Sequence, residues 1–155
     1  MTGPTDDPND EDRFLLDVML GKLATYLRMC GYDAAYALDR GIEGDDAIRT
    51  LAAAEDRILL TRDEALAAAA DDAILLTERE IEAQLRELRA AGVHLSLPDR
   101  PRRCSACNGE VEPADTDDPP EHVPDDVEPY RCRDCGQWFW RGSHWDDVAE
   151  TLAAL

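Results

Sequence analysis

Arg13-Phe14-Leu15-Leu16-Asp17-Val18 runs directly into Met19-Leu20-Gly21-Lys22-Leu23-Ala24-Thr25-Tyr26-Leu27-Arg28-Met29-Cys30, and the change of period between the two segments decides the fold. The first segment is a short apolar run suited to a buried strand. In the second, apolar positions recur at spacings of three and four, the signature of a helix with one buried face. Gly31 stands where a left-handed C-terminal cap belongs, and Asp33 to Leu38 returns as a second strand. The unit reads as βαβ.

The same alternation continues downstream. Gly44-Asp45-Asp46 offers an N-cap and a first-turn acid for a helix with Ile48, Leu51 and Ala52 on one face. Arg57 to Leu60 follows as a strand, the stretch after Asp63 as an Ala-rich helix to Ala70, Ala73 to Leu76 as a strand, and Glu78 to Ala91 as an amphipathic helix stopped by Gly92. Short apolar strands separated by helices predict an α/β fold with a parallel sheet flanked by helices over residues 13–97. Leu97-Pro98-Asp99-Arg100-Pro101-Arg102-Arg103 cannot continue a helix and marks a junction, so residues 98–155 are read as a second, smaller module ending in a helix. Residues 1–12 hold Pro, Asn, Gly and acids with almost nothing apolar, and are expected to be a loose tail.

A length of 155 residues suits one domain, or one domain with a small module, and excludes a large multidomain enzyme. Sixteen basic residues against 35 acidic ones give a net charge of -19, dispersed along the chain, and all the basic residues but Lys22 are arginine. That bias resembles proteins of salt-rich, halophilic cytosols, where a Debye length of about 3 Å near 1 M salt makes self-repulsion tolerable. The alternative is an acidic protein with a basic partner. No basic footprint for nucleic acid stands out in the charge pattern. No window approaches a membrane span and the N-terminus lacks the features of a signal peptide, so a cytoplasmic protein with no membrane partner is expected.

Cys104-Ser105-Ala106-Cys107 and Cys132-Arg133-Asp134-Cys135 form two CxxC pairs with 24 residues between them. The two-residue gap lets both thiolates of a pair face one tetrahedral metal at about 2.3 Å, and four such ligands leave no open coordination position. A structural zinc is therefore expected to hold a ribbon that has too little apolar content to fold alone. Rubredoxin-type iron in the same thiolates and a pair of redox-active disulfides are the competing readings. Cys30, at the end of a helical segment, reads as a small buried apolar residue.

Asp17 and Asp63 fall just past predicted strand ends, where parallel α/β folds gather their ligands, and Asp45 and Asp46 begin a helix on the same edge. Carboxylates converging there would repel each other unless a hard divalent cation, Mg²⁺ or Mn²⁺, lay between them. Such a cluster suits hydrolysis at phosphorus. Asp17 is the hardest of the four to dismiss, because it interrupts an apolar run where burying an unpartnered charge is costly. Asp45 also reads as a plain helix cap. Lys22 and Arg62 lie beside these acids, placed either to meet substrate phosphates or to pair with a carboxylate.

Tyr130, Trp138, Phe139, Trp140 and Trp145 crowd the second CxxC pair, interleaved with Arg131, Arg133, Arg141 and His144. Trp138, Trp140, Arg141 and His144 are candidates for stacking on unpaired bases, a contact worth about 1–3 kcal/mol per base that tolerates salt. Packing of the ribbon against the α/β layer is the competing use of the same rings.

Asp17-Val18-Met19-Leu20-Gly21-Lys22-Leu23-Ala24, Leu27 to Asp33, Ile58 to Asp63, the two CxxC pairs and Trp140 to Trp145 occur in an order that resembles the Mut-seven C-terminal RNase domain family over about residues 13–147. The resemblance implies a PIN-like α/β nuclease fold joined to a zinc ribbon, with RNA as substrate and Asp17, Asp63 and the Asp45-Asp46 position as Mg²⁺ or Mn²⁺ ligands. The Asp45-Asp46 pair stands where a single helix acid belongs, so the third ligand stays open and a fourth is unassigned. Three functions follow: a metal-dependent ribonuclease; a non-catalytic RNA- or ribosome-associated binding protein; and a toxin-like nuclease held by an antitoxin-like protein.

Overall fold

Every strand of the first layer is a short apolar segment, and every helix between them carries one apolar stripe. The computed structural model describes residues 12–155. The expected tail over 1–12 therefore lies, apart from Asp12, outside the described residues. The chain forms β1 (Arg13–Leu16), α1 (Gly21–Met29), β2 (Asp33–Tyr36), α2 (Asp45–Ala54), β3 (Ile58–Thr61), α3 (Glu64–Ala69), β4 (Ala73–Leu75) and α4 (Ile81–Ala90). Gly31 and Gly92 take φ of 95° and 98°, the left-handed turns that end α1 and α4. The second strand stops earlier than Leu38, because Ala37–Arg40 coils into a 3-10 turn closed by the N–H groups of Gly41 and Ile42.

The four strands lie in the order β2-β1-β3-β4, and every pairing is parallel. From β1 the chain goes to one side for β2 and then crosses back past β1 to β3. The order therefore reverses between β1 and β3, and a crevice opens at their carboxyl ends.

Alternation along the strands divides the core between the two faces of the sheet. Phe14, Leu16 and Leu60 pack with Leu23 and Leu27 of α1 and with Leu85 and Leu88 of α4, while Leu15 and Leu59 pack with Ile48 of α2 and Leu66 of α3. Truncating Leu27 to Ala would cost about 2–5 kcal/mol through lost burial and the cavity left behind.

The remaining chain forms β5 (Val111–Pro113), β6 (Tyr130–Cys132) and β7 (Trp138–Phe139), an antiparallel sheet in that order, and then α5 (Ser143–Ala153). Val148 and Leu152 of α5 return to the first face of the main core beside α1 and α4. The four-cysteine cluster at the head of this sheet is consistent with a zinc ribbon. Among the described residues no helix is long and apolar enough to cross a membrane.

Candidate functional site

β1 ends where Asp17 begins, and the backbone N–H of Asp17 still bonds to Leu60 of β3 at 3.0 Å, so the carboxylate stands at the β1–β3 crevice. Asp17 is only 4% exposed. Its Oδ1 accepts the N–H of Val18 at 2.7 Å and its Oδ2 accepts the hydroxyl of Thr61 at 2.7 Å. Both donors are neutral, and no arginine or lysine among the described residues forms an ion pair with it.

Thr61 links the two strand-end acids. While its hydroxyl donates to Asp17, its Oγ1 accepts the N–H of Asp63 at 3.0 Å. Asp63 caps α3, with Oδ1 accepting the N–H groups of Ala65 and Leu66 at 2.9 and 3.1 Å. Its Oδ2 is left without a hydrogen-bond partner among the described residues. Asp45 and Asp46 occupy the exposed first turn of α2, where Gly44 takes the cap position and no side chain caps the helix. Asp46 pairs with Arg49 at 3.1 Å and its side chain is 95% exposed. Among the described residues, Asp17, Asp45, Asp46 and Asp63 do not form a group of three or more ligand atoms within 4.8 Å of one another.

The cysteines do form such a group. The sulfurs of Cys104, Cys107, Cys132 and Cys135 lie within 4.8 Å of one another, with Cys104 and Cys135 at 3.6 Å and Cys107 and Cys132 at 3.5 Å. Tetrahedral Zn–S bonds of about 2.3 Å place sulfurs about 3.8 Å apart, close to these separations. All four are free thiols rather than paired disulfides. Each pair sits on a tight turn closed from behind, by the N–H of Asn108 to Cys104 O at 2.9 Å and the N–H of Gly136 to Cys132 O at 3.2 Å. Burial raises the Cys104 and Cys107 thiols. For Cys132 burial acts the same way, but it is outweighed by the N–H groups of Cys135 and Asp134 aimed at its sulfur and by the neighbouring thiols, so that thiol is lowered. Cys30 is wholly buried, and burial pushes it up to about 12, as suits a small core residue.

The first knuckle is joined to the edge of the main sheet. Asn108, held at φ 69°, accepts the N–H of Ala34 in β2 at 2.9 Å through Oδ1 and donates through Nδ2 to Asp33 at 2.7 Å. Asp33 also takes Nη1 of the buried Arg57 at 2.8 Å. Buried Arg28 adds a second tie, donating to Ala34 O at 2.9 Å and to Ser105 O at 3.1 Å. Neither the role of Asn108 nor this arginine pair stood out in the sequence, because each joins positions tens of residues apart.

Trp138, Phe139, Trp140, His144 and Trp145 line one cavity of about 240 Å³. The Arg131 guanidinium lies 5.2 Å from the centre of the Trp138 ring, and His122 lies 6.0 Å from Trp140. Arg141 is occupied elsewhere, donating to Asp99 O at 3.1 Å. Lys22 and Arg62 line a second cavity, of about 450 Å³, together with Arg79. The sequence reading passed over Arg79, which stands in a loop with no motif around it.

No curated protein and no solved structure matches the chain. Residues 12–152 match the family described as the Mut7-C RNAse domain. With a parallel sheet whose switch point carries Asp17, and a four-cysteine cluster following it within the same match, the chain belongs to the Mut7-C RNAse domain family.

Proposed function

We propose that this protein is a metal-dependent ribonuclease whose hydrolytic centre is the β1–β3 crevice. The reading is supported above all by Asp17, a carboxylate 4% exposed whose two partners are both neutral donors. A buried charge left without a counter-ion is costly, and a cation in the crevice would compensate it. The donor set is hard oxygen, which suits Mg²⁺ or Mn²⁺.

Asp17 and the Oδ2 side of Asp63 would hold the ion, and Asp45 or Asp46 would supply a further carboxylate from α2. When bound, such an ion lowers the pKa of water and neutralises charge developing on a phosphodiester. The chain's own residues do the positioning. Thr61 fixes the Asp17 carboxylate through its hydroxyl, and the same oxygen ties down the backbone of Asp63. Attack of a water oxygen forms one P–O bond as the bond to the leaving ribose oxygen breaks; the attacking water gives up one proton and the leaving oxygen takes one, so the step balances. We further propose that residues 13–97 are the nuclease layer, and that zinc in the thiolates of Cys104, Cys107, Cys132 and Cys135 has a purely structural role within 98–155.

A crystal grown with Mn²⁺ tests the site. Anomalous density at coordination distance from an Asp17 oxygen is expected. A bare Asp17, keeping only its bonds to Val18 and Thr61, would count against the reading.

A second reading draws on the aromatic cavity: a non-catalytic RNA- or ribosome-associated protein that stacks bases on Trp138 and Trp140. All three of the chain's tryptophans line that cavity, and each keeps part of its surface open. On this reading Trp138→Ala or Trp140→Ala abolishes RNA binding while Asp17→Asn leaves it unchanged.

A further inference from the structure

The second cavity starts two residues beyond Asp17, at Met19 and Leu20, and includes Arg62, which stands between Thr61 and Asp63. Its lining and the crevice thus draw on the segments that follow the same two strands. Lys22 comes from the first turn of α1, Arg62 from the end of β3, and Arg79 from the loop before α4. Three separate elements thus deliver cations to one polar hollow of about 450 Å³. Glu80 and Glu82 line it as well, so the three cations outnumber the carboxylates in a chain whose net charge is -19.

None of the three cations forms an ion pair with a described residue, although acids outnumber bases by 35 to 16. Seven other arginines, Arg28, Arg40, Arg49, Arg57, Arg102, Arg103 and Arg133, do meet carboxylates. Arg62 has a further peculiarity. Its Nε is shut off from solvent and makes no hydrogen bond. A guanidinium nitrogen in that state lacks an acceptor, and a buried donor left unmade is costly.

We propose that Lys22, Arg62 and Arg79 form a phosphate-binding subsite that seats an RNA phosphate neighbouring the one that is cut. Phosphate oxygens supply acceptors for the ammonium and the outer guanidinium nitrogens that no carboxylate pairs, and the forked guanidinium matches them geometrically. The inference rests on the nuclease reading for its placement beside the scissile bond. The ligand itself is recognised as a phosphate group, whether an internal diester or a 5′-terminal phosphate.

The test is binding of a ten-nucleotide RNA, labelled at its 3′ end, to the zinc-loaded protein without Mg²⁺ or Mn²⁺, measured by fluorescence anisotropy at the lowest KCl concentration that preserves the far-UV spectrum. One arm carries a 5′-hydroxyl and the other a 5′-phosphate. Arg79→Gln is expected to weaken binding by about tenfold. It is also expected to flatten the slope of log affinity against log salt by about 0.7, the share of one phosphate contact on a single strand. Equal losses in both arms assign an internal phosphate, and a loss confined to the phosphorylated arm assigns the terminal one. Arg89→Gln, on an exposed position of α4, removes the same charge and should change neither quantity.

If Arg79→Gln binds like Arg89→Gln, or if the zinc-loaded parent protein does not bind RNA without Mg²⁺ or Mn²⁺, the subsite is wrong. Because this buffer holds no Mg²⁺ or Mn²⁺ for cleavage, a protein that is inactive when Mn²⁺ is supplied but still loses affinity on Arg79→Gln sinks the nuclease reading and keeps the subsite. Cleavage by Arg79→Gln with the parent's KM and kcat does the reverse.

Discussion

Thr61 donates its hydroxyl proton to Oδ2 of Asp17 at 2.7 Å across 44 residues of sequence, at the point where β3 and β1 end side by side. The same oxygen accepts the N–H of Asp63 at 3.0 Å. One wholly buried threonine therefore sets the relative position of the two acids that flank the switch point.

Thr61→Val keeps the shape of the side chain and deletes both hydrogen bonds. Leaving Asp17 short of a donor is expected to cost about 1–3 kcal/mol of stability, read from the urea midpoint. RNA cleavage should fall by more than the lost fraction of folded protein, and Thr61→Ser should recover most of it.

Asp33 ties Arg57 and Asn108 to the sheet edge. Burial pushes its carboxyl up, but the hydrogen bonds from Arg57 and Asn108 and the charges of Arg57 and Arg103 outweigh it and hold the group below the ordinary aspartate range. A depressed carboxyl stabilises the fold above the unfolded value of about 3.9 and loses that contribution as pH falls through the folded value. Urea midpoints should accordingly drop on acidification below about pH 4, and drop less in Asp33→Asn. At pH 7, Asp33→Ala removes one of the two carboxylates on buried Arg57, whose Nε keeps Glu55 at 2.6 Å, and should cost about 1–3 kcal/mol.

Asn108 combines a left-handed backbone with two side-chain bonds to β2. Asn108→Gly relieves the backbone and removes only the side-chain bonds, whereas Asn108→Ala does both harms. The Ala variant is expected to be less stable than the Gly variant by about 1 kcal/mol, and both less stable than the parent, as thermal or urea unfolding will show.

Zinc analysis should return one ion per chain. Chelation is expected to release the ribbon and expose its rings, seen as a red shift of tryptophan fluorescence, since all three tryptophans lie between Trp138 and Trp145. Cys104→Ser should reproduce that shift without chelator. An unchanged spectrum in the metal-free protein would show that the ribbon folds without the ion.

The sheet was legible because its strands are apolar runs and its helices keep a clean period: β1, α1 and the capping turns at Gly31 and Gly92 lie where the sequence put them. The thiolate cluster was legible for the same kind of reason, since a CxxC spacing carries its own geometry. Element ends shifted where local hydrogen bonding overrode pattern, as at Ala37–Arg40. Thr61, Arg79 and the ties of Asn108 to β2 stayed hidden. Each acts on residues far away in the chain, and a lone threonine, asparagine or arginine has no periodic or spaced signature. Asp63 was read as a metal ligand, and its capping of α3 emerged only from the turn geometry.

The most direct measurement is cleavage of a labelled single-stranded RNA in Mn²⁺ by the parent protein and by Asp17→Asn, both zinc-loaded and with matching circular dichroism. Strand scission by the parent that EDTA stops, and that falls by at least about a hundredfold in Asp17→Asn, is the expected result. Equal cutting by the two proteins, or none by a metal-replete parent, would contradict an aspartate-centred nuclease.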